Sequence, residues 1–265
     1  MSKVEPLAVE PEPAARRPGW LDRIAHPGQF LAWSRYLVPP LAIATVLAFV
    51  AGLWLAFFAS PPDYQMGDTV RIMYVHVPNA WLSQFTYAVM ALASLGTLVW
   101  RHPLADVAAK SAAPLGAMFT ALALYTGALW GRPTWGTYWE WDGRMTSTLL
   151  LLFIYLGIIA LWRAFDDQLR AGRIAAVVTL VGALNIPVIK FSVDWWNTLH
   201  QPASVTRIAA PGMHVDMLYP LLVCALGFSL LFGAVVLAQT RAAVMERRVR
   251  ALQMVRARRA EGSAA

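Results

Sequence analysis

Charge and cysteine are both scarce in this sequence. Only 14% of its 265 residues are charged, whereas a soluble domain carries about a quarter. The single cysteine, Cys224, excludes an internal disulfide, a thiol pair and a Cys-x-x-Cys-His motif. The chain also contains no Walker phosphate-binding loop and no His-Glu-x-x-His motif. Nothing in the sequence therefore requires an enzyme.

Apolar residues make up 58% of the chain and are gathered into six runs. A helix needs about 20 residues to cross the hydrocarbon core of a bilayer, and each run is close to that length. The runs predict an all-α polytopic membrane protein, a bundle of six transmembrane helices without a second domain. The predicted spans are residues 38–59, 78–100, 112–130, 146–162, 174–189 and 217–238.

Two polar segments flank the transmembrane domain predicted at 38–240. Residues 1–37 form an N-terminal arm that begins with the composition of a disordered segment and becomes amphipathic, as in segments that lie on a membrane surface. Residues 241–265 form a basic tail, which we interpret as a topology signal with affinity for anionic lipid. The alternative is a docking surface for a cytoplasmic partner. The net charge of +7 reflects these basic segments and does not indicate nucleic-acid binding.

The basic residues also predict the orientation of the bundle. Of the 22 Lys and Arg residues, 17 lie in the arm, the tail and the loops on their side of the membrane. The other side holds only Arg71, Arg132, Arg144, Lys190 and Arg207. Cytoplasmic loops carry the excess of Lys and Arg, so both termini are predicted to be cytoplasmic. The loops near residues 60–77, 131–145 and 190–216 then face outward.

The segment 130–148 is unusually rich in tryptophan. It contains Trp130, Trp135, Trp139 and Trp141, between the third and fourth spans. An aromatic belt at the bilayer interface is one explanation, since indole rings suit the headgroup region. The other is a surface for a flat, apolar and partly charged ligand such as a porphyrin, which would need further partners elsewhere in the chain.

Two histidines border the outward loops on either side of this segment. His76 is expected just before the second span, with Pro78 as the first residue of that helix. If the fifth helix continues past its apolar run, Trp196 and His200 lie one turn apart and Pro202 ends the helix. A lone interfacial histidine is usually a structural residue. A pair at matched depth is also typical of axial haem ligation.

The remaining histidines are weaker candidates. His214, near the sixth span, is a third possible ligand, whereas His26 and His102 lie on the predicted cytoplasmic side. Acid–base catalysis by Glu140 and Asp142 is conceivable, but these carboxylates are more simply explained as groups that orient an arginine or a ligand histidine.

Three motifs resemble a known family. Residues 135–146 are similar to the tryptophan-rich, WWD-type signature of haem-handling membrane proteins in cytochrome c assembly, although Met145 stands where leucine is expected. Residues 74–78 and 193–201 resemble one branch of that group, the cytochrome c maturation protein C family, also called haem exporter protein C. The resemblance covers most of the chain from about residue 20.

The resemblance implies a haem site facing the periplasm of a bacterial inner membrane. It implies that His76 and His200 are the axial ligands of a haem b carried as cargo. The implied platform comprises Trp135, Trp139, Trp141, Asp142 and Arg144. The partners implied are a membrane-anchored haem chaperone, an ABC-type ATPase with its membrane subunit, and a small single-span subunit.

Two rival functions remain at this point. A bis-histidine electron-transfer cytochrome would place its ligands deep within the spans. A membrane transporter subunit or lipid-binding scaffold would have polar or charged residues at mid-membrane positions, and the predicted spans contain few of these.

Overall fold

The structure is a computed structural model that describes residues 26–196, 198–200 and 212–264. A π-helical turn (Leu55–Ala59) follows the first helix, and a 3₁₀ turn (Asp68–Ile72) precedes the second. The described residues form no strand beyond an isolated bridge between Asp63 and Gly67. The helices, numbered in chain order, are α1 (Pro27–Trp54), α2 (Met73–Val99), α3 (Ala105–Trp135), α4 (Gly143–Ala164), α5 (Gln168–Gly182), α6 (Asn185–Trp195) and α7 (Val215–Ala264).

Six helical segments of the described chain are long and apolar enough to cross a membrane. Helices α5 and α6 together form one of them, and each of the others contains one long helix. The predicted all-α bundle with six spans is therefore confirmed. The helices extend beyond the apolar runs because polar residues at their ends continue the same backbone hydrogen bonding.

The first helix begins at Pro27, well before the predicted span at 38. Proline suits this first helical position because its missing N–H is not needed there. The Nδ1 atom of His26 accepts the N–H of Gly28 at 3.2 Å and so caps the helix. Residues 27–37, which belong to the amphipathic segment predicted at about 20–37, are therefore continuous with α1. Residues 1–25 lie outside the described part of the chain.

The predicted start of the second helix was wrong. Helix α2 begins at Met73 and not at Pro78, because the 3₁₀ turn Asp68–Ile72 leads directly into it. Pro78 lies inside the helix, where it removes one backbone hydrogen bond. His76 consequently lies in the first turn of α2 and not in the loop before it.

Close packing of α2, α3 and α4 forms the centre of the bundle. Tyr155 of α4 lies against Gly116 of α3, where a Cβ atom would come within 2.3 Å of the ring. Its hydroxyl donates to the Ser83 carbonyl at 2.7 Å, and its ring meets that of Tyr87 at 5.3 Å between centroids. Small residues at helix interfaces permit this close approach in membrane proteins.

The long helix α7 joins the two ends of the bundle. Near its start, Met217 packs against a buried cluster that includes Met73 and Tyr74 of α2. Further along, Arg241 donates to Ser34 Oγ at 2.8 Å, and Arg247 forms a two-point ion pair with the buried carboxylate of Asp106, at 2.5 and 3.2 Å. The basic tail predicted from 241 is therefore helical over its described residues, and its first part is bonded to α1 and α3.

Candidate functional site

His76 is held between α2 and α3. Its Nδ1 atom lies 3.0 Å from the Ala123 carbonyl and 3.2 Å from Thr126 Oγ1. Its ring meets Trp130 edge-on, with 5.8 Å between centroids. The ring fits closely because α3 has a glycine beside it. A Cβ atom on Gly127 would lie only 2.9 Å from His76 Cε1.

His200 lies on an irregular segment and not on a helix, so the expectation of a fifth helix continuing to it was wrong. Helix α6 ends at Trp195, and Trp196 has extended backbone angles (φ −132°, ψ 154°). Trp196 and His200 therefore do not lie one turn apart. Pro202, expected to end that helix, lies outside the described residues. Instead, His200 packs on Trp135, with 4.8 Å between ring centroids.

Asp142 fixes both the start of α4 and the orientation of His200. One carboxylate oxygen accepts the Met145 N–H at 2.7 Å, as expected of an N-cap residue. The other accepts His200 Nδ1 at 2.8 Å and also the hydroxyl of Thr198. Thr198 Oγ1 in turn accepts the backbone N–H of His200 at 3.1 Å. A single carboxylate thus links α4 to the segment that carries the second histidine.

The ionisation of this pair favours a neutral imidazole beside a carboxylate. Burial alone would raise the pKa of Asp142, but the hydrogen bonds from Met145, Thr198 and His200 hold it below its usual value. Burial lowers the pKa of His200, although its hydrogen bond to Asp142 acts in the opposite direction. At neutral pH, His200 is therefore uncharged.

Both histidines leave the same ring nitrogen available. A carboxylate and a backbone carbonyl can only accept hydrogen bonds, so Asp142 and Ala123 require a proton on Nδ1 of His200 and His76 respectively. In a neutral imidazole the proton on one nitrogen leaves a lone pair on the other. Nε2 is thus free to bind a metal ion on each ring. Metal-binding histidines are commonly oriented by such a bond from their other nitrogen.

Arg144 is the cation of the site. It lies in the first turn of α4, partly buried, and interacts electrostatically with Asp142 and with Asp194 of α6. Arg144 also interacts electrostatically with both His76 and His200, and the two histidines interact electrostatically with each other. The two histidines and the arginine therefore belong to one site at one end of the bundle.

The tryptophans line this site at different depths. Trp130 and Trp135, near the end of α3, contact the two histidines. Trp139 and Trp141 follow in the irregular segment and pack edge-to-face at 5.3 Å, with Trp141 74% exposed. Gly136 begins that segment in the left-handed conformation (φ 80°), which ends α3. Trp135 and Trp139 consequently do not share a helical face.

Two indole N–H groups in this region are buried without an acceptor among the described residues. They belong to Trp130 and Trp139. A buried donor without a partner is unfavourable, so these groups suit a ligand that carries acceptor oxygens. Trp130 belongs to the tryptophan-rich segment but was not predicted as a binding residue. Thr126 and Thr198 were also missed, because a threonine has no distinctive sequence signal.

The other three histidines, His26, His102 and His214, have different partners. His214 is largely exposed at the start of α7, where Nδ1 lies 3.4 Å from Asp216. His26 caps α1, and His102 accepts the Leu104 N–H at 3.3 Å in the connection between α2 and α3. No cluster of three or more His, Cys, Asp or Glu side chains occurs within the described ranges. The two available donors of the site, Nε2 of His76 and of His200, fit a group that takes two ligands from the protein.

Taken together, these features define a helical, multi-pass membrane protein with an aromatic, two-histidine site at one end of its bundle. The sequence model of a family described as Heme exporter protein C matches residues 20–255. The chain belongs to this family.

Individual relatives agree over most of their length. A Heme exporter protein C from Bradyrhizobium diazoefficiens is 61% identical over 236 residues, which cover 89% of each chain. The protein of the same name from Escherichia coli K12 is 45% identical over 83% of this chain and 89% of its own. A mitochondrial protein of Marchantia polymorpha, named for cytochrome c biosynthesis, is 42% identical over 76% of this chain and 83% of its own.

Proposed function

We propose that this protein binds haem b as cargo at the periplasmic face of a bacterial inner membrane and presents it for transfer during cytochrome c maturation. The observation that carries this proposal is the matched state of His76 and His200. Each donates from Nδ1 to a fixed acceptor and has Nε2 free. Two such imidazoles supply the two axial ligands of a haem iron.

The surroundings of the two histidines suit the rest of a haem molecule. Indole rings offer flat apolar surfaces for the macrocycle, and Trp135, Trp139 and Trp141 provide them on the irregular segment and the end of α3. Arg144 can pair with a propionate through two parallel hydrogen bonds. The unpartnered N–H groups of Trp130 and Trp139 are further donors for propionate oxygens.

The chain itself holds and orients the cargo and performs no catalytic step. Asp142 keeps the Nδ1 proton on His200, so the Nε2 lone pair remains available to iron. Ala123 and Thr126 do the same for His76. The site lies at an end of the bundle where Trp141 is exposed. A cargo that must leave requires such an opening, whereas an electron-transfer cytochrome retains its haem deeper within the spans.

The transfer partners are those implied by the family. The receiver is a membrane-anchored haem chaperone, and ATP is hydrolysed by an ABC-type ATPase that acts with its own membrane subunit and a small single-span subunit. Two observations support this division of labour. The relatives carry the name exporter, and the sequence contains no Walker loop. The distribution of Lys and Arg supports a periplasmic location of the site.

The absorption spectrum of the purified protein tests the haem site. We expect Soret and α bands of a six-coordinate haem in the wild-type protein. His76→Ala and His200→Ala should each weaken these bands, and the double variant should lose them. His214→Ala is the matched control, because this histidine also lies on the outward side but faces Asp216. An unchanged spectrum in the double variant, or loss of the bands in His214→Ala alone, would show that the ligands are wrongly assigned.

A further inference from the structure

The fifth span is interrupted inside the membrane segment. Ala183 and Leu184, between α5 and α6, have backbone angles close to −62° and −21°, which is the range of a 3₁₀ turn. The N–H groups of Leu184 and Ile186 bond to the carbonyls three residues earlier, at 3.2 and 3.0 Å. Pro187 has no N–H to contribute. Such a stretch within a helix often marks a hinge.

The helix before the interruption is firmly held. The Thr179 carbonyl of α5 accepts the hydroxyl of Tyr87 at 3.0 Å. Gly182, the last residue of α5, lies so close to its neighbours that a Cβ atom would be 2.2 Å from the same hydroxyl and 2.9 Å from Ile154 Cγ2. Helix α5 is thus fixed against both α2 and α4.

The helix after the interruption is held differently. Among the described helices, α6 packs mainly against α4. Side-chain hydrogen bonds at both ends of α6 connect it to α4. Near the hinge, Asn185 Nδ2 donates to the Ser147 carbonyl at 2.8 Å. Beyond its outer end, Thr198 and His200 donate to Asp142.

The two histidines therefore belong to different packing units. His76 is bonded within the α2–α3 pair, the most extensive helix contact in the bundle. His200 follows a half-helix that begins at the hinge, and it is positioned by its hydrogen bond to Asp142 of α4 and by an edge contact with Trp135. A movement of α6 would change the distance between the two rings without disturbing the α2–α3 pair.

We propose that α6 and residues 198–200 form a movable arm, which turns about residues 183–187 to withdraw His200 from the iron when haem is handed on. The proposal rests on the haem-binding function above. Thr198 is a positioning residue that holds the arm closed through Asp142. In this step the coordinate bond between iron and His200 Nε2 would break and its electron pair would stay on the nitrogen. The bond to His76 Nε2 would break in the same way as the haem leaves. No oxidant or reductant is needed.

A disulfide between α4 and the arm tests whether the arm moves. A Cβ atom on Gly143 would lie 3.3 Å from Ser192 Cβ, close to the separation of about 3.5–4.5 Å found in disulfides. Gly143→Cys and Ser192→Cys are introduced together with Cys224→Ser. Haem-loaded protein is mixed with excess apomyoglobin, which traps released haem. We expect release to be about tenfold slower, or slower still, in the oxidised form than in the reduced form, because a locked arm cannot reach the open state.

The chain offers a matched control for the cross-link. A Cβ atom on Gly52 would lie 2.9 Å from Cys224 Sγ, so Gly52→Cys in the wild-type background links α1 to α7. Neither helix moves in the proposed mechanism. Oxidation of this variant should leave the release rate unchanged. Equal release from the oxidised and reduced arm variants, with the disulfide verified, would show that haem leaves without movement of α6.

A second variant tests the closing contact without any cross-link. Thr198→Val removes the hydroxyl bonded to Asp142 and keeps the side-chain shape. Haem release should become about two- to hundredfold faster, the range for one to two lost hydrogen bonds, since Thr198 Oγ1 also accepts the backbone N–H of His200. The bands of the bound haem should stay unchanged. Thr148→Val removes a hydroxyl that bonds only within α4, to the Arg144 carbonyl at 2.7 Å, and should release haem at the wild-type rate.

The outcomes separate this proposal from the haem-binding function. If Thr198→Val releases haem no faster than Thr148→Val, Thr198 does not hold the arm and that part of the proposal is wrong, although haem binding stands. If the Cys224→Ser parent shows no haem bands at all, the proposed function itself fails.

Discussion

A missing methyl group determines where the first histidine can lie. Gly127 allows the His76 ring to rest against α3, and an alanine there would place its Cβ atom 2.9 Å from His76 Cε1. The ring must then shift away from the Ala123 carbonyl that orients it. The position of the His76 ring therefore depends on the space beside Gly127 and on the hydrogen bond to the Ala123 carbonyl.

We therefore expect Gly127→Ala to weaken haem binding strongly and to alter the Soret band. Gly157→Ala is the matched control, because Gly157 lies within α4 with open space around its Cα. Alanine should be neutral there or stabilise the helix by up to about 1 kcal/mol. The measurement is haem per protein in purified samples, with thermal unfolding recorded alongside. Normal haem content in Gly127→Ala would show that the ring tolerates displacement.

The charge on Asp142 has an effect that depends on pH. Protons compete with iron for Nε2 of His200, and burial lowers the pKa of this histidine below 6.5. Haem binding should therefore persist as the pH falls to 6.5 and be lost at lower pH. The carboxylate of Asp142 favours the protonated imidazole. Its removal should lower the pKa of His200 further and shift haem loss to lower pH.

A Soret titration of Asp142→Asn checks this sign. At neutral pH the variant should also release haem faster than the wild-type protein, because its second ligand is less well oriented. Glu140→Gln is the control, since Glu140 is an exposed carboxylate in the same segment. If Asp142→Asn shows the same midpoint and the same release rate as Glu140→Gln, the carboxylate does not act through His200.

Among the helices, the apolar runs predict each span but not how the spans begin, end or break. The six runs are long because the bilayer requires it, and this constraint is visible in composition. The break at residues 183–184 is not, because Gly182 and Pro187 are both tolerated within membrane helices. The contact between the Tyr87 hydroxyl and Gly182 is equally invisible in the sequence, because it joins residues distant along the chain.

The candidate site shows the same division. The tryptophan-rich segment and the two histidines are recognisable from residue type, spacing and family resemblance. The helical context of these residues is not recognisable from the sequence. Pro78 indicated a helix start, but α2 begins at Met73, directly after the 3₁₀ turn. The role of Thr198 depends on a bond across many residues to Asp142, and no local pattern predicts it.

The ion pair between Arg247 of α7 and Asp106 of α3 should contribute to the stability of the bundle. Arg247→Ala leaves the buried Asp106 carboxylate without its ion pair, and such a loss destabilises the folded state. Because Arg247 is 37% exposed, we expect a modest loss of about 1–3 kcal/mol and a lower melting temperature in detergent. Arg248→Ala removes an exposed arginine next to it and should have little effect. Restoration of stability by Asp106→Asn in the Arg247→Ala background would identify the unpaired charge as the cause.

For the whole molecule, the orientation in the membrane is the property on which the proposed function depends. A reporter active only in the periplasm should be active when fused after Pro61, Thr134 or Ala203. The same reporter should be silent after Ala105, Asp167 or Ala260, because the excess of Lys and Arg predicts a cytoplasmic location for those segments. An active fusion at Asp167 would place the two-histidine site on the cytoplasmic side and overturn the proposed direction of transfer.

The length of α7 has a steric consequence for anything that approaches the opposite end of the bundle. Its 50 residues extend for about 75 Å at 1.5 Å per residue, whereas the hydrocarbon core is only about 30 Å thick. Residues 251–261 are all exposed, so the last turns project beyond the remaining helices. This projection prevents a broad, flat surface from lying directly against that end. A large neighbouring protein must instead contact the side of this projecting part of α7. Its distance from the membrane is then set by the number of α7 turns that project.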